Sequence, residues 1–196
     1  MSVVVAVKNG DHVLVGCDSQ MTYGYTKEIL TNQRKMWKPT DNKKIVIGLV
    51  GTVRDANILS VAEEWIDELT ELKNDFNLKY VIKTIVPKMF RELEDNGRLR
   101  IKDGIKSIDS IVTFAYKDMA YSIDPDGAVV EMEDILVNGS GYSLCLGAWD
   151  SIKDEDIPIR EKLIKVIKAA CEKDLFVGYP IIIMNTKNNN VDTIQK

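Results

Sequence analysis

Histidine and cysteine are scarce in this chain. Its 196 residues include one histidine, His12, and three cysteines, Cys17, Cys145 and Cys171. A single histidine gives a His-based metal site or a Ser-His-Asp triad poor material. Three cysteines, odd in number and far apart, argue against a disulfide framework and against a zinc site. They suit a reducing cytoplasm, which is the expected location. No apolar run reaches the ~18 residues that a membrane span needs. A basic region followed by an apolar stretch is missing near Met1, so secretion is not expected. Positive charge is not in excess either. Net charge is −4 and the isoelectric point is about 5.2, which gives no reason to expect nucleic acid or an anionic membrane as partner. What remains is an ordinary composition, 45% apolar and 29% charged. The length fits one domain, 1–196, with a substantial core.

The first third reads as strands. Val3–Lys8 and His12–Cys17 are nearly continuous apolar runs around Asn9-Gly10-Asp11, and Asn-Gly is a strong hairpin signal. Ser19–Leu30 is polar and irregular. Asn32–Lys38 and Lys43–Leu49 read as a further strand pair around a turn at Pro39-Thr40-Asp41-Asn42. Helical spacing then runs from Val53 to about Phe76, and again over Leu78–Leu93 with Pro87 inside it. Asn96-Gly97 ends that helix. Strands return at Ser107–Tyr116, Ala120–Ile123 and Ala128–Met132. Helices follow at about Tyr142–Ile152 and Ile157–Lys173, and a hairpin of Pro180–Thr186 and Val191–Gln195 closes the chain. Blocks of strands alternating with pairs of helices argue for layered antiparallel sheets covered by helices, rather than a parallel βαβ fold.

Four places hold residues that could carry chemistry. Removal of Met1 would leave Ser2 with a hydroxyl nucleophile and a free α-amine on one residue. An α-amine titrates near pH ~7.7–8.0, so part of it is a base at neutral pH. Asp18 ends an apolar strand that a hairpin would return beside Ser2. Taken alone, a turn aspartate capping backbone amides is the better reading of it. The basic run Gln33-Arg34-Lys35-Met36-Trp37-Lys38 would point either Arg34 or Lys35 inward, where Asp18 could hold it. Gly48-Leu49-Val50-Gly51 and Gly139-Ser140-Gly141 lie at strand-to-helix turns, where free N–H groups can hold an oxyanion. Neither is a Walker or dinucleotide fingerprint.

In order and spacing these segments resemble the proteasome β-subunit superfamily, including the HslV-type peptidases, all N-terminal nucleophile hydrolases. The resemblance covers nearly the whole chain. Ser2-Val3-Val4-Val5-Ala6-Val7 resembles the mature N-terminal strand, with serine where the family usually has threonine. Gly16-Cys17-Asp18-Ser19-Gln20-Met21-Thr22-Tyr23-Gly24 resembles the aspartate motif and its substrate-binding threonine, Thr22. Arg34-Lys35-Met36-Trp37 resembles the segment of the catalytic lysine, reached after one extra loop residue. Gly48-Leu49-Val50-Gly51 resembles the oxyanion turn, while Ser122-Ile123-Asp124, Gly139-Ser140-Gly141 and Asp174-Leu175-Phe176-Val177-Gly178 fall where other family motifs lie. Val177 takes a place where proteasome subunits commonly carry serine.

The resemblance implies an α+β fold, a four-layer αββα sandwich of two antiparallel sheets flanked by helices. It implies an amide hydrolase with Ser2 as nucleophile, Asp18 and Lys35 setting the electrostatics and the Gly48 amide as oxyanion donor. Ser140 and Asp174 would position the N-terminus. It implies a homo-oligomeric ring, polypeptide substrates and an ATPase unfoldase as partner, with no metal or organic cofactor. With no propeptide in the sequence, maturation is expected to need only the loss of Met1. Two other readings compete: an inactive proteasome-like scaffold or assembly subunit, and a small-molecule amidase on the same fold. The lack of a long lid insertion counts against the amidase.

Overall fold

The computed structural model describes residues 2–24, 26–29, 35–39, 44–62, 64–65 and 76–196. The first two strands, β1 (Val3–Asn9) and β2 (His12–Asp18), form the hairpin that Asn9-Gly10 predicts, in register Val4↔Cys17 to Asn9↔His12. Two short strands follow, β3 (Gln20–Tyr23) and β4 (Thr26–Ile29), paired only with each other. This corrects the reading of 19–30 as irregular. Every β4 residue is exposed, so no burial alternation marks the segment, and backbone pairing alone makes the hairpin.

Next come β5 (Met36–Trp37), β6 (Ile45–Val50) and helix α1 (Val53–Val61). The expected strand residues 32–34, and the turn residues 40–42, lie outside the described residues. The expected helix to Phe76 is interrupted at Ala62, which turns extended with φ −67° and ψ 119°; residues 64–65 are helical again, and residues 66–75 lie outside the description.

Helix α2 covers 78–95. It joins an α-helical start (Leu78–Tyr80), a π-turn (Val81–Ile85) and an α-helical end (Val86–Asp95). The Val86 amide reaches back to the Val81 carbonyl, five residues earlier. Pro87 follows at once, and the widened turn admits a residue with no amide donor. A small hairpin of β7 (Arg100–Lys102) and β8 (Ile105–Ser107) precedes β9 (Ile111–Tyr116), β10 (Met119–Ile123), β11 (Val129–Glu131) and β12 (Ile135–Gly139). The expected strand from Ser107 to Tyr116 is therefore split. The chain ends with α3 (Tyr142–Ile152), α4 (Ile159–Lys173), β13 (Ile181–Asn185) and β14 (Val191–Ile194).

The strands build two five-stranded antiparallel sheets, β12-β1-β2-β13-β14 and β11-β10-β9-β6-β5. Period-2 alternation assigns each strand two faces. Val3, Val5 and Val7 pack on residues of α3 and α4, whereas Val4 and Ala6 enter the layer between the sheets. In the second sheet Ile45, Ile47 and Leu49 pack on α1 and α2, and Val46 and Val50 face the first sheet. Strands buried on both faces need the near-continuous apolar runs that the sequence carries. The result is a four-layer αββα sandwich with three apolar layers. Each fully buried valine contributes roughly 1.5–3 kcal/mol relative to exposure.

Candidate active site

The site forms where β1 starts and β2 ends, at one rim of the inter-sheet layer. Asp18 is fully buried, and burial of a carboxylate is tolerated only with partners. It has four. Oδ1 accepts from the Val3 amide at 3.0 Å and from the Lys35 ammonium at 2.8 Å. Oδ2 accepts from the Gln20 amide at 3.0 Å and the Gly178 amide at 3.1 Å. The sequence-level alternatives for Asp18, amide cap or charge partner, are thus both realised in one carboxylate.

Lys35 immediately precedes β5. Its ammonium also donates to the Gln20 carbonyl, and its own carbonyl accepts from the Leu49 amide at 2.8 Å. Arg34, the rival cation, lies outside the described residues. Ser2 is buried, and its carbonyl accepts from the Ser140 amide at 2.9 Å and the Ser140 hydroxyl at 3.4 Å. Ser140 can do this because β12 pairs with β1, Val3 opposite Gly139.

Gly48 sits within β6, paired with Met36 on one side and Thr113 on the other. A Cβ there would lie 2.7 Å from Val4 Cγ1. A side chain at this position would push β6 away from β1. Thr22 lies on β3, and its hydroxyl accepts from Gln20 Nε2 at 3.3 Å. Asp174 caps its own turn, its carboxylate accepting from the Phe176 amide at 2.8 Å. That turn supplies Gly178, so Asp174 reaches the cluster through the backbone that contacts Asp18.

Ser2, Thr22 and Lys35 line one cleft of about 380 Å³, which Gly51, Thr52, Val53 and Arg54 also line. Cys17 sits beside the cluster, but burial and then the Asp18 charge push its thiol up to about 12. It is therefore a packing group and not a nucleophile. Among the described residues no group of three His, Cys, Asp or Glu could hold a metal.

Two participants escaped the sequence reading as individual residues. Gln20 joins four neighbours, since its amide and carbonyl meet Asp18 and Lys35, and its side chain donates to Thr22 and to the Leu175 carbonyl at 2.7 Å. Gly178 contributes backbone groups alone, its amide to Asp18 and its carbonyl to the Ser19 amide at 3.0 Å. Backbone donors leave no side-chain signature, so only the fold reveals them.

Comparison with known proteins agrees with this fold. The chain is 26% identical over 173 residues to the ATP-dependent protease subunit HslV of Caldicellulosiruptor saccharolyticus, covering 86% of this chain and 90% of that protein. It is 31% identical over 77 residues to the proteasome subunit beta of Nanoarchaeum equitans, 38% of this chain and 39% of that one. The fold superposes on Thiobacillus denitrificans BPH, solved in complex with epoxomicin, with a TM-score of 0.74. Identity there is 17%, with 96% of this chain and 100% of that chain covered. HslV from Trypanosoma brucei superposes with a TM-score of 0.70 at 19% identity, over 93% of this chain and 98% of the other. Residues 2–184 match the family described as Proteasome subunit, and the chain belongs to that family of proteasome and HslV-like subunits.

Proposed function

We propose that the protein is an N-terminal serine peptidase, active once Met1 is removed. The observation that carries the reading is the Asp18 carboxylate, which bridges the Val3 amide and the Lys35 ammonium beside Ser2 at the edge of an open cleft. Ser2 Oγ attacks a peptide carbonyl carbon, forming a C–O bond. Its proton passes to the Ser2 α-amine, directly or through a water. The carbonyl oxygen becomes an oxyanion, for which the Gly48 amide is the proposed donor. The C–N bond then breaks, the leaving amine takes the proton, and water hydrolyses the resulting ester.

In this scheme the Lys35 ammonium, fixed by Asp18, stabilises the serine as its proton leaves. Ser140 and Asp174 hold the N-terminus and the turn beneath it. Thr22 binds the substrate backbone. The proposal extends to a homo-oligomeric ring in the cytoplasm, fed with unfolded polypeptide by an ATPase; relatives described as ATP-dependent protease subunits support a multi-subunit, ATP-dependent protease. Among the described residues no helix is long and apolar enough to cross a membrane.

Intact-mass measurement of untagged protein tests the first step, with loss of Met1 expected. Hydrolysis of a fluorogenic peptide tests the second. A chain that keeps Met1 throughout, or a Ser2→Ala variant as active as the parent, would overturn the proposal. Light scattering is expected to give a ring-sized particle, and a strict monomer would remove the compartment.

A second reading, a family subunit without activity, draws on one observation. Val177 is buried among apolar residues of the α3/α4 layer, so no hydroxyl stands at a position where the family commonly has one. The same peptide assay separates the two.

A further inference from the structure

A second buried carboxylate lies outside the Ser2 cluster. Asp55, in the first turn of α1, is fully buried. Its Oδ1 meets Arg98 Nε at 2.5 Å, and its Oδ2 accepts from the Ser110 hydroxyl at 2.7 Å. Arg98 also donates through Nη2 to Thr52 Oγ1 and to Asp109 Oδ2, each at 3.1 Å. Arg100 reaches the same Asp109 oxygen at 2.9 Å. Ser110 Oγ in turn accepts from the Thr52 amide at 3.1 Å.

These bonds converge on one short segment. Gly51 has φ +146°, and a Cβ on it would lie 2.3 Å from Ser110 Oγ. Residues 51–52 are therefore tied to 109–110 by contact, by the hydrogen bond from the Thr52 amide to the Ser110 hydroxyl and through the Asp55–Arg98 pair. Gly51, Thr52, Val53 and Arg54 are also a wall of the cleft that holds Ser2. Asp55 and Arg98 do not line that cleft. A charge pair of this kind fixes geometry well, because the guanidinium fork engages several acceptors at once.

We infer that Asp55 and Arg98 are positioning residues for peptide selection: they hold the 51–54 wall, and so set the affinity for extended peptides, without touching substrate or the chemistry at Ser2. The inference rests on the proposed reading of the cleft as a peptide site. It assigns the pair a separable role, because the Asp18–Lys35 cluster is built from other segments.

The test uses the full chain and two readouts. One is the affinity of a fluorescein-labelled unstructured decapeptide, measured by anisotropy on a Ser2→Ala background so that no turnover is needed. The other is labelling of Ser2 by phenylmethanesulfonyl fluoride, followed by intact mass on a background that keeps Ser2. Arg98→Met, Arg98→Lys and the charge-free double variant Asp55→Asn with Arg98→Gln are compared, with thermal unfolding as the check of folding. The double variant covers the case in which Arg98→Met, leaving a lone buried carboxylate, does not fold.

Peptide affinity is expected to fall about tenfold or more in Arg98→Met or the double variant, as a displaced wall misplaces the ligand. Arg98→Lys is expected to lie between them and the parent, and the labelling rate to be unchanged. Unchanged peptide affinity in folded variants would overturn the inference. So would a joint fall of affinity and labelling, which signals general disruption, or a parent that binds no peptide. If Ser2 neither labels nor cleaves while peptide affinity still responds to Arg98, the nucleophile reading fails and the wall inference stands.

Discussion

The two ends of the β1–β2 hairpin carry the same ion pair in opposite surroundings. At the turn, Lys187 meets Asp11 at 3.0 Å, with side chains 57% and 72% exposed. At the open end, Lys35 meets Asp18 at 2.8 Å, with side chains 17% and 0% exposed. Coulomb attraction between like pairs at like distance differs only through the medium. Water screens the first pair, so it contributes little to stability. The second is largely shielded from water on its Asp18 side, and each of its members depends on the other. The residues at the turn are ordinary surface chemistry, and those at the open end form a site.

Predictions that break this comparison run from the buried end outward. Ser2→Ala is expected to abolish peptide hydrolysis, by at least about 10³-fold if Ser2 is the nucleophile, as measured with a fluorogenic peptide. Asp18→Ala should be the most destabilising single change at the site. It strips Lys35 of its carboxylate and leaves three amides without an acceptor. Loss of one partner of a buried pair costs about 3–5 kcal/mol, readable by urea unfolding. Gly48→Ala places a methyl group against Val4, and such overpacking costs about 1–3 kcal/mol. A crystal structure of that variant should show β6 displaced from β1.

Lys38 has intermediate exposure and sharpens the scale. Its ammonium donates to the Asn185 carbonyl at 2.6 Å, and burial lowers its pKa from 10.5 to about 8. Between those values the unfolded chain holds a proton that the folded chain has released. Stability relative to Lys38→Met should therefore rise with pH from about 8 to about 10.5, and thermal unfolding across that window checks the sign. The smallest effect belongs to Asp11. The His12 hydrogen bond, and then Lys187, lower its carboxyl to about 2. Its contribution is present above pH 3.8 and is lost as pH falls towards 2. At neutral pH, where this water-screened contribution is present, Asp11→Asn should lower the melting temperature only slightly.

Much of this architecture was legible in the chain because burial on two faces leaves a strong pattern. Val3–Val7 and Ile45–Val50 could hardly be anything but central strands. Strand β12 was not legible. Only Ile135, Leu136 and Val137 are apolar, and Asn138-Gly139 reads as a turn. Asn138 is nevertheless buried, donating to Thr113 Oγ1 at 2.8 Å and accepting from Ser122 Oγ at 3.0 Å between the sheets. A polar residue satisfied by tertiary partners looks, in sequence, like a loop residue. The β7–β8 hairpin was missed for a related reason, since its isoleucines Ile101 and Ile105 are exposed and only the Asp103-Gly104 turn marks it. Within the site, Asp18 was legible as a carboxylate ending an apolar strand, whereas the basic run left Arg34 and Lys35 as rivals and only the family resemblance favoured Lys35. The Gln20 and Gly178 amides were not legible, because every residue but proline has one.

The shell of Asp18 also has an order of arrival. Val3 and Gln20 lie within 15 residues of it, Lys35 within 17, and Gly178 stands 160 residues later. During synthesis the aspartate emerges early and must wait for nearly the whole chain before its last donor appears. Long-range pairings of this kind form slowly. A nascent chain therefore carries its N-terminal residues in an incomplete setting until β13 has joined β2. The molecule's first residues acquire their final surroundings only when its last strands are in place.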